Sequence, residues 1–470
     1  MKDKKRLILY LFTDLFSAFL AWQLFSVFRF FVIQSTTGFS DLSSFLLFPK
    51  AVWLSILVPV FWVIIYYFSG FYSEPRRKTN LGDLLNSAVS TLIGVLVLFF
   101  LIVIDDYPES PELYYDIVLG FYLIHFICNW LLRFAITGPM VVRQSVGELN
   151  VPIFVIGTGE NALRVLGEFN ENRCNMAYKL EGFIRTGKET DKLTEKDILG
   201  NIEDLNKLIS QYNVEELIIA MDSPNPDHKQ SLLNKLYIHR LPIKSVASRN
   251  DMISGKVKLF SLFGIPMVCL TPVLMPIWQH NLKTVFDRIG SFLIIIILIP
   301  VFIYLAFRVR KDSPGKIIFS QNRIGKDGKV FKMYKFRTMY MNSEPEGPKL
   351  SFEEDPRVTT YGRIMRKYRL DELPQFLNVI KGDMSLVGPR PERKFFVDQI
   401  VKKAPHYYLT QRVLPGITSW GMVKFGYANS VEKMIDRLEY DILYLENQSI
   451  LIDLKILIFT LKPLFRGKGV

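Results

Sequence analysis

Long runs of apolar residues dominate the first third of this chain. Four of these runs are each long enough to cross about 30 Å of hydrocarbon as an α-helix, for which ~20 apolar residues suffice. We therefore predict an anchor of four transmembrane helices within residues 1–145. The runs cover residues 7–28, 51–70, 84–104 and 117–136.

The charges that flank these runs predict the orientation of the anchor. The basic clusters "KDKKR" (2–6) and "EPRRK" (74–78) lie before the first run and after the second, and Arg133 and Arg143 mark the exit of the fourth. The loop "DDYPESPELYYD", between the third and fourth runs, contains no Lys or Arg. By the positive-inside rule both ends of the anchor are cytoplasmic, and so is the chain after residue 145. The first run lacks a small-residue cleavage site, which favours an uncleaved anchor over a signal peptide.

Three polar residues lie within the apolar runs: Asp14, Arg29 and His125. They could line a transport path. Four spans make only a small pore, however, and Asp14 and Arg29 are close to the ends of their run. We interpret these two as residues that reach the membrane surface or pair with a neighbour.

The pattern changes after residue 145 to short apolar segments that alternate with amphipathic ones, as in a parallel α/β sheet. Residues 151–169 predict a strand, a tight turn and a helix, and Gly157, Gly159 and Ala162 match the G-x-G-x-x-A pattern of dinucleotide sites. The acid expected at the end of the second strand is missing, since that strand ends in Arg185. We predict a Rossmann-like domain that is regulatory or structural, with a dinucleotide site as the alternative. Further strands are predicted at 179–184, 216–221 and 243–246.

A fifth apolar run, residues 289–307, is long enough to span a membrane. Pro300 lies inside it and favours a bend, because proline lacks the backbone donor. Both flanks are basic, so neither end is marked as external. These two features favour a re-entrant helix that bends at Pro300 and returns to the same face, with a fifth transmembrane helix as the alternative.

The charge of the chain is unevenly distributed. Of 470 residues, 58 are Lys or Arg and 45 are Asp or Glu, which gives a formal net charge of +13. Residues 1–280 hold 26 of each sign, so the 32 basic and 19 acidic residues of 281–470 account for the whole excess. A basic C-terminal part indicates an anionic partner, such as nucleic acid, a phosphorylated small molecule or a membrane surface. The three cysteines have no C-x-x-C spacing and indicate neither a zinc site nor a disulfide.

An acidic pair, Asp371 and Glu372, lies inside this basic part, in "YRLDELPQFLNVIKGD". Proline is acceptable in the first turn of a helix but not in its interior, so Pro374 predicts a helix with Asp371 as its N-cap and Glu372 as its first residue. Lys381 and Gly382 supply the C-terminus. Both acids would then lie at the positive end of a helix dipole.

Basic side chains are predicted to converge on this pair. A hairpin over 317–321 and Val330–Phe336, with its turn at Lys326–Gly328, brings Lys335 and Arg337 to the end of its second strand. The other basic residues nearby are Arg363, Arg366, Lys367, Arg369 and, on a stiff Pro-Arg-Pro turn, Arg390.

Two interpretations of Asp371 are open at this point. It is only a helix cap beside a solvated basic face, or it belongs to a phosphoryl-transfer site. In the second interpretation, arginines and the helix N-terminus bind phosphates. A carboxylate whose pKa is kept low by these charges attacks phosphorus. Its neighbour holds Mg²⁺ against phosphate oxygens.

From about residue 280 onward the chain resembles the bacterial sugar transferase family, the monotopic polyprenyl-phosphate sugar-phosphate transferases. The stretches that carry the resemblance are "KFRTM", "LDELPQFLNVIKGDMSLVGPRP" and "YDILYLENQSILIDLKIL". Together with the anchor and the middle domain, the chain is similar to the large, three-part members of this family. The resemblance implies a membrane α-helical bundle (1–145), an α/β Rossmann-like domain (146–275) and a mainly α monotopic catalytic domain with a re-entrant membrane helix and a small β-hairpin (276–470).

The resemblance also implies an activity: transfer of a sugar 1-phosphate from a UDP-sugar to undecaprenyl phosphate with release of UMP, which starts capsule, O-antigen or exopolysaccharide assembly. Asp371 would be the covalent nucleophile and Glu372 would bind Mg²⁺. Arg366 and Arg390 would hold phosphates, Pro389 and Pro391 would shape the uridine side, and Lys335 and Arg337 would contact phosphate. The re-entrant helix of the family usually breaks at Ser-Pro, whereas this chain has Ile299-Pro300.

Other functions are less consistent with the sequence. A nucleotide-sugar dehydratase or epimerase would need a Tyr-x-x-x-Lys pair, and a metal-dependent glycosyltransferase an Asp-x-Asp; the chain contains neither. A non-enzymatic assembly scaffold, with Asp371 as a cap, is a further alternative. We expect a protein of the bacterial inner membrane with its catalytic domain on the cytoplasmic side, no nucleic-acid partner and a possible homodimer. The sugar is not predicted.

Overall fold

The structure is a computed structural model. It forms two compact units, residues 1–152 with 168–180, and residues 153–167 with 181–470. The residues that it describes are 2–34, 39, 41–73, 80–104, 110–145, 150–171, 178–187, 189–222, 226–248, 251, 261–262, 265–272, 275–341, 343–344, 347–352, 354–426 and 428–466.

Long apolar helices make up the first unit. Four of them are long and apolar enough to cross a membrane, which confirms the four predicted runs. Lipid-facing positions such as Phe12, Trp53 and Leu101 are more than 60% exposed, as expected for helices surrounded by hydrocarbon. The third span ends in a π-helical turn, Phe99–Val103. The helices are α1 (Lys2–Ile33), α2 (Leu42–Leu46), α3 (Pro49–Phe68), α4 (Asn80–Leu98) and α5 (Leu113–Ser145).

A buried ion pair lies inside this bundle. Arg133 on α5 donates from Nε and Nη2 to the carboxylate of Asp14 on α1, at 2.8 and 3.0 Å. Both side chains are at most 1% exposed. Of the two alternatives for Asp14, pairing with a neighbour is confirmed. Arg133, which in the sequence marks the exit of the fourth run, is its buried partner inside the bundle.

A seven-stranded sheet follows, in the order β3-β2-β1-β4-β5-β7-β6. The strand pairs β2/β3, β1/β4 and β4/β5 are parallel, as predicted, whereas β7 runs antiparallel to both β5 and β6. The prediction of a parallel α/β sheet is confirmed for these strand pairs. The sheet as a whole is mixed, because the short strands β7 and β6 extend it beyond β5 in antiparallel orientation. The strands are β1 (Val151–Ile156), β2 (Tyr178–Arg185), β3 (Ile198–Asn201), β4 (Glu216–Ile219), β5 (Ile243–Val246), β6 (Ser261–Leu262) and β7 (Ile265–Cys269), and the helices are α6 (Glu160–Glu171), α7 (Leu205–Tyr212) and α8 (Pro226–Leu236).

The glycine-rich turn after β1 has a protein carboxylate where a pyrophosphate would bind. Asp222 accepts hydrogen bonds from the backbone N–H groups of Glu160 and Asn161, the first residues of α6. Glu189 accepts in turn from the N–H groups of Thr158 and Asp222. The anion-binding end of α6 is thus occupied from within the fold, which favours our interpretation of a domain without a dinucleotide.

The apolar run near residue 300 lies in a single helix, α9 (Ile277–Asp312). Helical backbone continues through Pro300, so the helix is not interrupted there; the return of this segment to the same membrane face stays a prediction. Near its start, Lys283 pairs with Asp453 at 2.6 Å. Near its end, Leu305 and Val309 are buried against the C-terminal part of the chain.

The C-terminal part contains two small sheets and six helices. The antiparallel hairpin of β8 (Ile318–Ile324) and β9 (Val330–Phe336) confirms the predicted one. Two parallel strands, β10 (Ser385–Val387) and β11 (Gly416–Thr418), pair behind it. The helices are α10 (Thr360–Lys367), α11 (Gln375–Lys381), α12 (Lys394–Lys403), α13 (Trp420–Lys424), α14 (Val431–Glu446) and α15 (Ile450–Arg466).

Candidate active site

The acidic pair lies in a sharp turn between two short helices. α10 ends at Lys367, and Arg369 follows in the left-handed conformation with φ 54°. Leu370–Glu372 then form one 3₁₀ turn, and α11 begins at Gln375 with Pro374 as its N-cap. Our prediction that Asp371 is the N-cap and Glu372 the first residue of this helix is wrong. The predicted end is confirmed, because Gly382 adopts φ 85° after Lys381.

One buried amide aligns the hairpin with this turn. Asn378 on α11 is fully buried; its Oδ1 accepts from the backbone N–H of Tyr334 at 3.0 Å, and its Nδ2 donates to the carbonyl of Lys332 at 2.7 Å. These two bonds satisfy the N–H of Tyr334 and the carbonyl of Lys332, as the backbone of a neighbouring β-strand would. Lys335, the next residue of β9, is thereby directed at the acidic pair.

Three cations surround Glu372. Lys335 Nζ and Arg390 Nη2 donate to its Oε1 at 2.8 and 3.1 Å, and Arg369 Nη1 lies 3.6 Å from its Oε2. Asp371 is held less firmly: Lys335 Nζ lies 3.7 Å from its Oδ2, and no hydrogen bond to its carboxylate is formed within the described residues. Both carboxyl groups are buried, at 7% and 8% exposure.

These surroundings give the two carboxyls opposite properties. Burial raises the pKa of Asp371, since the attraction of Lys335 opposes it only in part and the charge of Glu372 adds to the rise. Burial would also raise the pKa of Glu372, but Lys335, Arg390 and Arg369 outweigh it and bring that pKa well below its usual range. Our prediction that the cations keep the pKa of Asp371 low is therefore wrong; they act mainly on Glu372.

The other predicted site residues fall into two groups. Arg366 reaches the cavity and donates to Thr338 Oγ1 and Ser351 Oγ, at 3.0 and 3.2 Å. Arg337 also lines the cavity, but its guanidinium donates to the carbonyl oxygens of Ser313 and Pro314, just beyond α9. In this structure Arg337 thus caps the end of the membrane helix, and its contact with phosphate stays a prediction.

The Pro-Arg-Pro turn is fixed by backbone contacts. The N–H of Gly416 donates to the carbonyl of Pro389 at 3.0 Å, and Arg323 Nη1 donates to the carbonyl of Pro391 at 3.1 Å. Arg390, between the two prolines, is thereby held over Glu372. The assignment of the uridine to this side of the site stays a prediction.

A buried charged cluster behind this turn was not predicted. Glu392 accepts from Arg323 Nη1 at 3.0 Å and from Arg437 Nη2 at 2.7 Å. Because these residues are up to 114 positions apart, only "RPE" beside the turn could have pointed to Glu392, and nothing local pointed to Arg437. Since Glu392 directly follows Pro391, its bonds to Arg323 and Arg437 fix the chain on the C-terminal side of Arg390.

A cavity of about 470 Å³ opens above these residues. Its walls combine the acidic pair and its cations with the apolar side chains of Phe319, Tyr340 and Met341. Such a volume suits a small phosphorylated molecule. The charged residues that line it include Lys335, Arg366, Arg369, Asp371, Glu372 and Arg390.

The acidic pair also bears on the predicted Mg²⁺. Among the described residues no group of three or more metal-binding side chains lies together. Mg²⁺ is commonly held by one or two carboxylates with phosphate oxygens and water, and Asp371 and Glu372 fit that donor set. Lys335 and Arg390 both donate to Oε1 of Glu372. This oxygen would therefore be available to Mg²⁺ after the two cations have moved to phosphate oxygens.

Comparisons with known proteins identify the family. A model of the bacterial sugar transferases matches residues 278–467. A UDP-glucose:undecaprenyl-phosphate glucose-1-phosphate transferase of Escherichia coli (strain K12) is 33% identical over 356 residues, which cover 72% of this chain and 76% of that protein. The chain belongs to the bacterial sugar transferase family. Within this family the matched region includes the whole acidic pair and its cavity, which confirms the resemblance described above.

Two further bacterial sugar transferases are similar over shorter regions. A UDP-N-acetylgalactosamine-undecaprenyl-phosphate N-acetylgalactosaminephosphotransferase of Aeromonas hydrophila is 36% identical over 240 residues, 51% of this chain and 56% of that protein. An undecaprenyl-phosphate galactose phosphotransferase of Salmonella typhimurium is 38% identical over 207 residues, 40% of this chain and 41% of that protein. These matches therefore span only about half of each relative.

Proposed function

We propose that this protein transfers a sugar 1-phosphate from a UDP-sugar to undecaprenyl phosphate and so starts the assembly of a polysaccharide. The observation that carries the proposal is the asymmetric acidic pair. Glu372 is held by Lys335, Arg369 and Arg390, whereas Asp371 is buried beside the same cations without a hydrogen bond among the described residues. A weakly solvated carboxylate next to phosphate-binding cations is suited to attack phosphorus.

The reaction follows in two steps. In the first, a carboxylate oxygen of Asp371 forms a bond to the β-phosphorus, the bond from this phosphorus to the bridging oxygen breaks, and its electron pair leaves with UMP. In the second, an oxygen of the lipid phosphate attacks the same phosphorus and the carboxylate of Asp371 leaves. Lys335 and Arg390 neutralise the diphosphate, while Arg366 faces the same cavity. Glu372 would hold Mg²⁺, which when bound supplies further neutralisation at the diphosphate oxygens.

The contacts of α9 support a catalytic domain that lies on one membrane face. Asp287, near the start of the helix, accepts from Ser385 and from the N–H of Leu386, and Asp312, at its end, accepts from the N–H of Tyr361. The apolar positions between them are largely exposed, as Ile297 is at 73%. Since one folded domain binds both ends of the helix, we infer that α9 enters and leaves the membrane on the same side. The basic residues on both flanks support the cytoplasm as that side.

The named relatives differ in the sugar that they transfer, glucose, galactose or N-acetylgalactosamine. The first experiment therefore uses a panel of UDP-sugars labelled in the sugar. Purified wild type and Asp371→Asn are incubated with Mg²⁺ and each donor, without lipid acceptor. We expect the wild type to take up label with release of UMP, and the folded Asn variant to remain unlabelled. Equal labelling of both proteins would exclude Asp371 as the nucleophile, and absence of label with every donor would exclude the covalent mechanism for these donors.

A further inference from the structure

Arg369, one residue before the 3₁₀ turn of the acidic pair, has an unusual backbone. It is one of four non-glycine residues with positive φ in the described part of the chain, at φ 54° and ψ 24°. It directly follows the cap of α10, a position where glycine or asparagine is preferred because a Cβ is strained in the left-handed conformation. A long side chain at such a position calls for a functional explanation.

The side chain of Arg369 supplies that explanation. Its Nη1 lies 3.6 Å from Oε2 of Glu372, the oxygen opposite the one that Lys335 and Arg390 share. We propose that Arg369 is a positioning residue of the acidic pair, which holds Oε2 of Glu372 and so fixes the orientation of both carboxylates in the cavity. This inference rests on the proposed function.

Another strained arginine of the described residues shows the same arrangement. Arg240 also has positive φ, 57°, and its guanidinium donates to Gln411 Oε1 at 2.8 Å and lies over the ring of Tyr408. In both arginines the side chain makes a contact that glycine could not make, local in Arg369 and tertiary in Arg240. The two other such residues, Asn213 and Asp327, are of types that tolerate this conformation.

The contact with Glu372 also distinguishes a positioning role from a structural one. A residue that only stabilises the turn would change the unfolding temperature and leave kcat unchanged. A residue that orients Glu372 changes kcat at an unchanged KM, and a lysine, which keeps the cation, restores part of it.

Four variants of the full-length protein separate the guanidinium from the backbone strain. Arg369→Ala removes the guanidinium and keeps a Cβ, Arg369→Gly removes both, and Arg369→Lys keeps a cation. Arg363→Ala is the matched control: Arg363 was predicted to approach the pair, but the structure places it exposed on α10 and outside the cavity. The measured quantities are the midpoint of thermal unfolding and the kcat and KM for UMP release.

We expect the Ala and Gly variants to lose kcat equally, by about 10- to 100-fold as for other residues that orient a catalytic group, with KM for the UDP-sugar near the wild-type value. The Gly variant should unfold at a higher temperature than the Ala variant, because only it relieves the strained backbone. The Lys variant should recover most of kcat, and Arg363→Ala should match the wild type.

Two results would overturn the inference. If the Ala and Gly variants keep the wild-type kcat, Arg369 does not position the pair. If the two variants unfold at the same temperature, the backbone at this position is not strained. A wild type that releases no UMP from any UDP-sugar would instead contradict the proposed function. The comparison of unfolding temperatures needs no activity and still decides the claim of strain.

Discussion

The ion pair of Asp14 and Arg133 predicts a strong coupling inside the membrane anchor. Asp14→Asn preserves the shape of the side chain and removes its charge. The Arg133 guanidinium then stays buried, with Ser87 Oγ at 2.9 Å and the rings of Phe71 and Tyr66 at 3.4 and 4.0 Å as its other partners. Removal of one member of a buried pair leaves an uncompensated charge and costs about 3–5 kcal/mol. We expect a loss near the upper end of this range, because the guanidinium is 1% exposed.

Substitution of the other member of the pair, Arg133, should cost less stability. In Arg133→Met the Asp14 carboxylate keeps two donors, Tyr72 Oη at 2.8 Å and Asn129 Nδ2 at 3.3 Å. The double variant removes both charges, and replacement of a buried pair by apolar groups is often neutral. Its stability should therefore be at least that of Asp14→Asn alone, so the two single effects will not add.

The assay is unfolding of the purified protein in detergent by heat or SDS, with the folded fraction followed by size-exclusion fluorescence. Asp116→Asn, at an exposed acid of α5, is the control and should unfold with the wild type. A coupling of about 2–3 kcal/mol between Asp14 and Arg133 would support the argument, since residues in direct contact typically show 0.5–3 kcal/mol. Additive single effects would refute it, because they would show that each charge is satisfied without the other.

Three further predictions concern the catalytic domain. Asn378→Ala leaves a buried N–H and a buried C=O of β9 without their partner, so we expect a loss of about 2–4 kcal/mol in unfolding experiments together with slower UMP release. Asn378→Asp should lose at least as much, because it removes the donor and buries a carboxylate against the carbonyl of Lys332 and near Asp383 Oδ2. The raised pKa of Asp371 makes its ionised form unfavourable in the folded state at neutral pH, whereas the lowered pKa of Glu372 contributes stability that is lost only as pH falls through its folded pKa. Asp371→Asn should therefore unfold at a higher temperature than wild type at pH 7 and Glu372→Gln at a lower one, and equal midpoints would contradict these directions. Gly416→Ala would place a Cβ against the backbone of Gly388, the residue after β10, so it should lower both the unfolding midpoint and UMP release. Gly167→Ala on α6, with nothing within 4 Å of its Cβ, is the control and should retain UMP release.

Elements that depend on local pattern were predictable from the sequence. The apolar spans follow from their length alone, and the hairpin follows from a turn at Lys326–Gly328 between two strand-forming segments. The end of α11 at Gly382 likewise follows from the left-handed conformation that glycine favours. Each of these features depends on neighbours in sequence, so no tertiary contact was needed to predict it.

Features that depend on distant partners were not predictable. Asp14 and Arg133 are 119 positions apart, and the residues around each of them indicate only a position near a membrane surface. The N-cap assigned to Asp371 followed a sound local rule, yet Lys335 and the left-handed Arg369 place both carboxyls in the cavity instead of on the helix end. The contact between the Asp222 carboxylate and the start of α6 was also not predictable, because Asp222 lies some 60 positions after the glycine-rich turn.

The charge of the site gives the strongest physical reason to connect the acidic pair with a diphosphate. Among the described residues that line the cavity, nine are basic and four are acidic, so the site is positively charged before any substrate binds. A UDP-sugar is a dianion at its diphosphate, and its arrival would balance this excess while drawing Lys335 and Arg390 away from Glu372. Asp371 would then face the β-phosphorus, while Glu372 would no longer contact Lys335 and Arg390. Lys335 and Arg390 thus bind Glu372 while the site is empty and the diphosphate once the substrate is bound. Glu372 thereby keeps these two phosphate-binding cations in position for the substrate.

A transferase built in this way should bind UDP, which carries the diphosphate, far more tightly than uridine, and Glu372→Gln should weaken UDP binding less than Arg390→Gln does. Equal losses in the two variants, measured by equilibrium dialysis at fixed Mg²⁺, would show that Glu372 contacts the nucleotide and does more than hold its cations.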